Sequence, residues 1–244
     1  TAVACEGLPA GEKALEVWLD PGVPFRLRGI ALPDGARLST NEDTRPRWIT
    51  YGSSITHCKG ARSPSHIWPG VVARSQGLDL TSLGFAGQCH ADPMVARLIR
   101  DCEADFVRLK IGINIHGNGS LNARTFLPAI VGMIALVREG HPDVPLVVCS
   151  PILSPPRETT PNAVGLTLAD MREAIALAVE RFRARGDRNL YYVDGLRLFG
   201  PDLAHLLPDD VHPNADGYER LGEHFAEEVF GRLGVEPVRR EGLL

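Results

Sequence analysis

No stretch of this 244-residue chain approaches the run of ~20 apolar side chains that a membrane-spanning helix needs. Its first residues, Thr1-Ala-Val-Ala-Cys-Glu, also lack the basic start and apolar core of a secretory leader. A membrane partner is therefore not expected, and a cytoplasmic location is. Cysteine is sparse: five residues (Cys5, Cys58, Cys89, Cys102, Cys149), odd in number and without CxxC spacing, imply neither a disulfide framework nor a structural zinc site. A Cys58–Cys89 bridge is left open. An excess of either charge is missing too. With 26 Lys+Arg against 30 Asp+Glu, the net charge of −4 provides no footprint for nucleic acid or an anionic surface. Internal repeats and low-complexity segments are absent. What remains, 44% hydrophobic and 23% charged, is enough for one α/β domain with a sizeable core.

The chain divides near residue 46. Before it, apolar residues alternate on either side of Asp20-Pro-Gly22, from Ala14-Leu-Glu-Val-Trp-Leu19 to Val23-Pro-Phe-Arg-Leu-Arg28, which predicts a β-hairpin. A lone hairpin is marginal in water. Residues 1–46 are accordingly expected to form a β-rich segment and linker that packs on the main domain or ends a larger β-sandwich. After residue 46, β-rich runs alternate with helical patterns, the mark of βαβ units and a parallel sheet. Strands are expected near Arg47–Tyr51, Asp79–Leu83, Phe106–Ile111, Leu146–Cys149 and Leu190–Val193. In Thr167–Arg185, the residues Leu168, Met171, Ile175, Ala178, Val179 and Phe182 recur at helical spacing behind a Thr167/Asp170 capping box, with Gly186 as the stop. A second helix begins near Ala215 with Tyr218, Leu221, Phe225 and Val229 on one face.

Chemistry concentrates at the ends of these strands. Arg47-Trp-Ile-Thr-Tyr-Gly-Ser-Ser-Ile-Thr56 runs from a strand into a tight turn, and Asp209-Asp-Val-His-Pro-Asn214 sets a carboxylate three residues before an imidazole. A serine hydroxyl becomes a useful nucleophile only when a base takes its proton, and a neutral imidazole with a carboxylate behind it is such a base. Asp209 has the right spacing, with Asp210 as the alternative. The turn lacks the closing glycine of G-x-S-x-G, which argues against the larger α/β-hydrolase fold.

The turn resembles the first block of the SGNH (GDSL-type) hydrolases, in which the nucleophile closes a Gly-Asp-Ser turn. On that likeness Ser54 is the nucleophile, and Ser53 stands where the family usually has Asp. Ser82-Leu-Gly-Phe-Ala-Gly-Gln88 is similar to the second block, and Lys110-Ile-Gly-Ile-Asn-Ile115 to the third. Asp209-Asp-Val-His212 is similar to the fifth. The resemblance implies a three-layer, flavodoxin-like α/β fold with a five-stranded parallel sheet over residues 47–244. It also implies a serine esterase with Ser54, His212 and Asp209 as catalytic residues and Ser54, Gly87 and Asn114 as oxyanion donors. No cofactor and no metal are implied. His57 and His116 are expected to line the pocket for a small-molecule acyl ester, and Trp68 to border the cleft. An acyltransferase using the same residues is the nearest alternative; a non-catalytic binding module on the same fold is the other.

Overall fold

The structure, a computed structural model, describes residues 4–40 and 42–239. Five strands, β1 (Arg47–Gly52), β2 (Asp79–Gly84), β3 (Phe106–Lys110), β4 (Leu146–Cys149) and β5 (Leu190–Val193), form one parallel sheet in the order β2-β1-β3-β4-β5. All five lie where the sequence pattern places them, and the order is that of the flavodoxin-like doubly wound sheet. Among the described residues eight α-helices accompany the sheet, the first six between its strands and the last two after β5: α1 (Ser54–His57), α2 (Trp68–Gln76), α3 (Pro93–Asp101), α4 (Ile113–Asn118), α5 (Ala123–Gly140), α6 (Leu168–Arg183), α7 (Gly195–Leu198) and α8 (Ala215–Ala226). The Thr167/Asp170 capping box forms as the sequence suggests, and Tyr218, Leu221 and Phe225 of α8 are buried.

Each face of the sheet has its own helical cover. Helices α2 and α8 pack together on one side, where Trp48 and Phe106 of the sheet meet Trp68 and Phe225 with ring centroids 5.3–5.9 Å apart. Helices α3, α5 and α6 form the opposite layer. Trp68 is 1% exposed and donates its indole N–H to Ile55 O, so it holds α1 from beneath and does not border a cleft. Trp48, 0% exposed, belongs to the same core.

The expected hairpin is not formed. Residues 13–32 contain no strand, and Leu15, Val17, Val23, Phe25, Leu27 and Ile30 are each about 60% exposed or more. The physical reason lies in the sheet: both its faces are already covered, so the alternating apolar side chains find no surface to bury against, and two strands alone do not hold. The segment is pinned at single points. Trp18 packs close to Gly70 of α2, Arg45 pairs with Glu16 at 2.8 Å, and Pro21 O accepts a 2.6 Å hydrogen bond from His57 Nε2. Among the described residues no helix is long and apolar enough to cross a membrane.

Candidate active site

In an open parallel sheet, ligands bind beyond the carboxyl ends of the strands, where the order reverses. Here the reversal is at β1, flanked by β2 and β3, and the loops leaving these three strands carry Ser54, Gly87 and Asn114.

Ser53 and Ser54 follow β1 directly but have different tasks. Ser53 is 1% exposed and caps α1: its Oγ accepts from Ile55 N–H at 3.3 Å, and its carbonyl accepts from Thr56 and His57 N–H. Ser54 is partly exposed, and its Oγ lies 2.7 Å from His212 Nε2. Ser53 thus fills the turn position with a cap, and the hydroxyl facing the imidazole belongs to Ser54.

His212 arrives from the loop before α8. Its Nδ1 is 2.6 Å from Asp209 Oδ2, while Asp209 Oδ1 accepts the backbone N–H groups of His212 at 2.7 Å and Val211 at 3.0 Å. Partial burial acts to raise the Asp209 pKa, but these hydrogen bonds outweigh it and hold the carboxyl at about 2. An ionised carboxylate only accepts, so Nδ1 carries the proton and Nε2 is left with a lone pair for the Ser54 hydroxyl. Asp210 makes no such contact; it sits at φ +62° as the corner of the loop. Asn214 caps α8 by accepting from Gly217 N–H at 2.9 Å, so one short segment provides both the imidazole and the helix entry.

The other two loops come to the same edge. Phe85 N–H donates to Gly52 O, extending the pairing of β2 with β1 to the start of the second loop. A turn then closes from Gln88 N–H to Phe85 O, with Gly87 at φ +73°, a conformation that a side chain at its third position would strain. Asn114 stands in the first turn of α4, behind Gly112 at φ +137°, where a Cβ would lie 2.5 Å from Pro151 Cγ. Its Oδ1 accepts from Cys89 N–H at 3.1 Å, which ties the second loop to the third and leaves the Nδ2 hydrogens for a ligand. No residue-type signal in the sequence marks Cys89, because it acts through its backbone.

The remaining histidines do not converge. His57 Nε2 is engaged by Pro21 O. His66 Nδ1 lies 2.6 Å from Ser63 Oγ, and His90 contacts Ser120 Oγ and Gly87 O. His116 is 7% exposed with its Nε2 shut off from solvent, and burial pushes its pKa down. It therefore does not stand on an open pocket wall, contrary to expectation, because α4 turns it into the protein. Among the described residues no group of three or more His, Cys, Asp and Glu side chains is arranged to hold a metal. Cys58 and Cys89 are free, buried thiols donating to Ile55 O and Lys110 O, so the bridge between them is not formed.

Residues 50–220 match the family model described as GDSL-like lipase/acylhydrolase. Among solved structures, a salicylyl-acyltransferase from a tetracycline biosynthetic pathway is similar at 40% sequence identity and a TM-score of 0.78, over 85% of this chain and 60% of its own. A GDSL-like lipase from Bacteroides ovatus is similar at 24% identity and a TM-score of 0.67, over 81% of this chain and 56% of its own. A family two carbohydrate esterase from Clostridium thermocellum shares the fold at 17% identity and a TM-score of 0.62, covering 82% of this chain and 68% of its own. The chain thus spans less than two thirds of the first two of these proteins. No curated protein sequence matches it.

Proposed function

Because the chain belongs to the GDSL-like lipase/acylhydrolase family, we propose that it is a serine enzyme acting on the ester of a small acyl group through an acyl-enzyme on Ser54. The observation that carries this reading is the continuous contact from Ser54 Oγ to His212 Nε2 and from His212 Nδ1 to Asp209. In the first half-reaction Ser54 Oγ attacks the ester carbonyl carbon while its proton passes to His212 Nε2. Asp209 stabilises the imidazolium. The carbonyl oxygen becomes an oxyanion, met by the N–H groups of Ser54 and Gly87 and by Asn114 Nδ2. When the tetrahedral intermediate collapses, the C–O bond to the alcohol breaks and His212 returns the proton to the departing oxygen. A second nucleophile then enters by the reverse of these steps and frees Ser54. Every group in this sequence belongs to the chain, so the chemistry needs no cofactor.

Hydrolysis has water as the second nucleophile, and acyl transfer has an alcohol. The 40% identity to a salicylyl-acyltransferase favours the second over the range of alcohols that reach the site. The pair is open enough to admit one: the side chains of His212 and Asp209 are 41% and 55% exposed. The test is p-nitrophenyl acetate turnover with and without an added alcohol. Release of p-nitrophenol in buffer alone is expected, with ester product appearing when an alcohol competes with water. A folded enzyme that releases no p-nitrophenol under either condition and takes up no fluorophosphonate at Ser54 would overturn the reading in favour of a binding module.

Asn114→Ala isolates the oxyanion contribution. Loss of one preorganised donor lowers turnover by about 10²–10³-fold. The Asn114 amide strengthens its bond only as charge develops, so kcat is expected to fall by that factor with KM little changed. A KM effect without a kcat effect would place Asn114 in ground-state binding instead.

A further inference from the structure

The Asp209–His212 pair is too exposed to be held in place by apolar packing, so its orientation must come from hydrogen bonds to something rigid. The loop leaving β4 provides them. Ser154 is 1% exposed, and its Oγ lies 2.6 Å from the carbonyl oxygen of Asp210, the residue in the left-handed corner between Asp209 and His212. Arg157 Nη1 donates to the same Ser154 Oγ at 2.9 Å. A guanidinium has no acceptor, so Ser154 must accept from Arg157, and its single proton is committed to Asp210 O. The direction of this hydrogen bond is therefore fixed by chemistry.

The serine is in turn immobilised from behind. Its backbone N–H donates to Glu158 Oε1 at 2.9 Å, and both carboxylate oxygens of Glu158 accept from Arg172 of α6, at 2.6 and 2.9 Å. Arg172 is 7% exposed and also donates to Pro151 O at 3.0 Å. A polar chain thus runs from α6 through Arg172, Glu158 and Ser154 to the carbonyl of Asp210. On the far side of that carbonyl, the next two N–H groups, of Val211 and His212, close on Asp209 Oδ1.

We propose that Ser154, oriented by Arg157 and anchored through Glu158 to Arg172, is the positioning residue that sets the angle of the Asp209–His212 pair toward Ser54. The proposal rests on the reading of Ser54 and His212 given above. Its energetic logic is that of orientation: a displacement of about 1 Å at a reacting group can lower turnover about 10²-fold without altering substrate affinity. Loss of the Ser154 hydroxyl also leaves Asp210 O and the Arg157 donor without their buried partner.

The test uses Ser154→Ala, Ser154→Thr and Arg157→Ala in the full chain, each with thermal melting recorded. For p-nitrophenyl acetate, Ser154→Ala is expected to lower kcat about 10–100-fold with KM within about twofold of wild type, following the orientation effect. Ser154→Thr, which keeps the hydroxyl, is expected to restore most of that loss, and Arg157→Ala to show a smaller decrease. The second readout does not depend on turnover: the low-field proton resonance of the His212 Nδ1–H to Asp209 hydrogen bond, assigned by its loss in His212→Ala. It is expected to shift or broaden in Ser154→Ala and to return in Ser154→Thr. A folded Ser154→Ala protein with wild-type kcat and an unmoved resonance would refute the role. If wild type is inert toward esters, the catalytic reading fails, while the resonance still decides whether Ser154 holds the pair.

Discussion

Ser54→Ala is expected to lower p-nitrophenyl acetate turnover by roughly 10⁴–10⁶-fold in a protein that stays folded, and His212→Ala by a similar factor. The two losses are large because each variant removes the same event: without the hydroxyl there is nothing to acylate, and without Nε2 the hydroxyl keeps its proton. For that reason the double variant is expected to be scarcely worse than either single one. Both side chains are partly exposed, so truncation opens no core cavity and the melting temperature changes little. Ser53→Ala is the informative contrast. Ser53 is the buried cap of α1, so its loss is expected to reduce stability by about 1 kcal/mol while leaving turnover within severalfold of wild type. The opposite ranking, with Ser53→Ala inert and Ser54→Ala active, would move the nucleophile one residue earlier. It would also contradict the 2.7 Å contact between Ser54 and His212.

That distinction marks where sequence reasoning ends and geometry begins. Strands β1, β3, β4 and β5 are legible because each is a short apolar or β-branched run wholly or partly buried in a parallel sheet, and such runs follow from local composition; the edge strand β2, with no buried residue, is legible from the short run Leu80, Thr81, Ser82 and Leu83 alone. Helix α6 is legible from its capping box and its spacing. Helix α5 is not, because Pro128 lies inside it and reads as a break; the capping box at Asn122 and Thr125 carries the helix start instead. The hairpin at residues 13–32 shows the reverse failure. Its alternation is as clear as that of any strand, but alternation states only that one face wants an apolar partner. It does not say that one is within reach. At the site, the order of the motif blocks points to Ser54, Gly87, Asn114, Asp209 and His212. Their contacts place Ser54 on His212, His212 on Asp209 and Asn114 on the second loop. His116 and Trp68 are buried and not on the pocket for one reason: residue type and proximity in sequence do not tell which way a side chain leaves its helix. Ser154 and Cys89 carry no motif at all, since they act through hydrogen bonds to or from the backbone.

Lys110 is the most consequential residue that residue type misrepresents. In a sequence a lysine reads as solvated, yet Lys110 is 1% exposed at the end of the central strand β3, and its Nζ has no hydrogen-bond partner among the described residues. Nearby Arg108 is also buried, but it rests 4.5 Å from the centre of the Trp68 ring and donates to Thr50 and Thr56. Burial first, and the charge of Arg108 second, push the Lys110 pKa down to about 7. Below that pH the amine is charged in both the folded and the unfolded chain, and the folded state bears the full cost of an unpaired buried cation. Between about 7 and about 10.4, the ordinary lysine value, only the unfolded chain binds the proton, so stability rises with pH across that window. Above it the contribution is flat. A shift of this size corresponds to about 5 kcal/mol. Lys110→Met keeps the length of the side chain and removes the charge, so it is expected to stabilise the protein by a few kcal/mol at pH 6 and by little at pH 10. Urea unfolding of both proteins at pH 6, 8 and 10 measures this as a gap in midpoint that closes as pH rises. A gap that stays constant, or a variant less stable than wild type at pH 6, would mean that the Lys110 ammonium has a partner in the folded state and that its burial is not a cost to the fold.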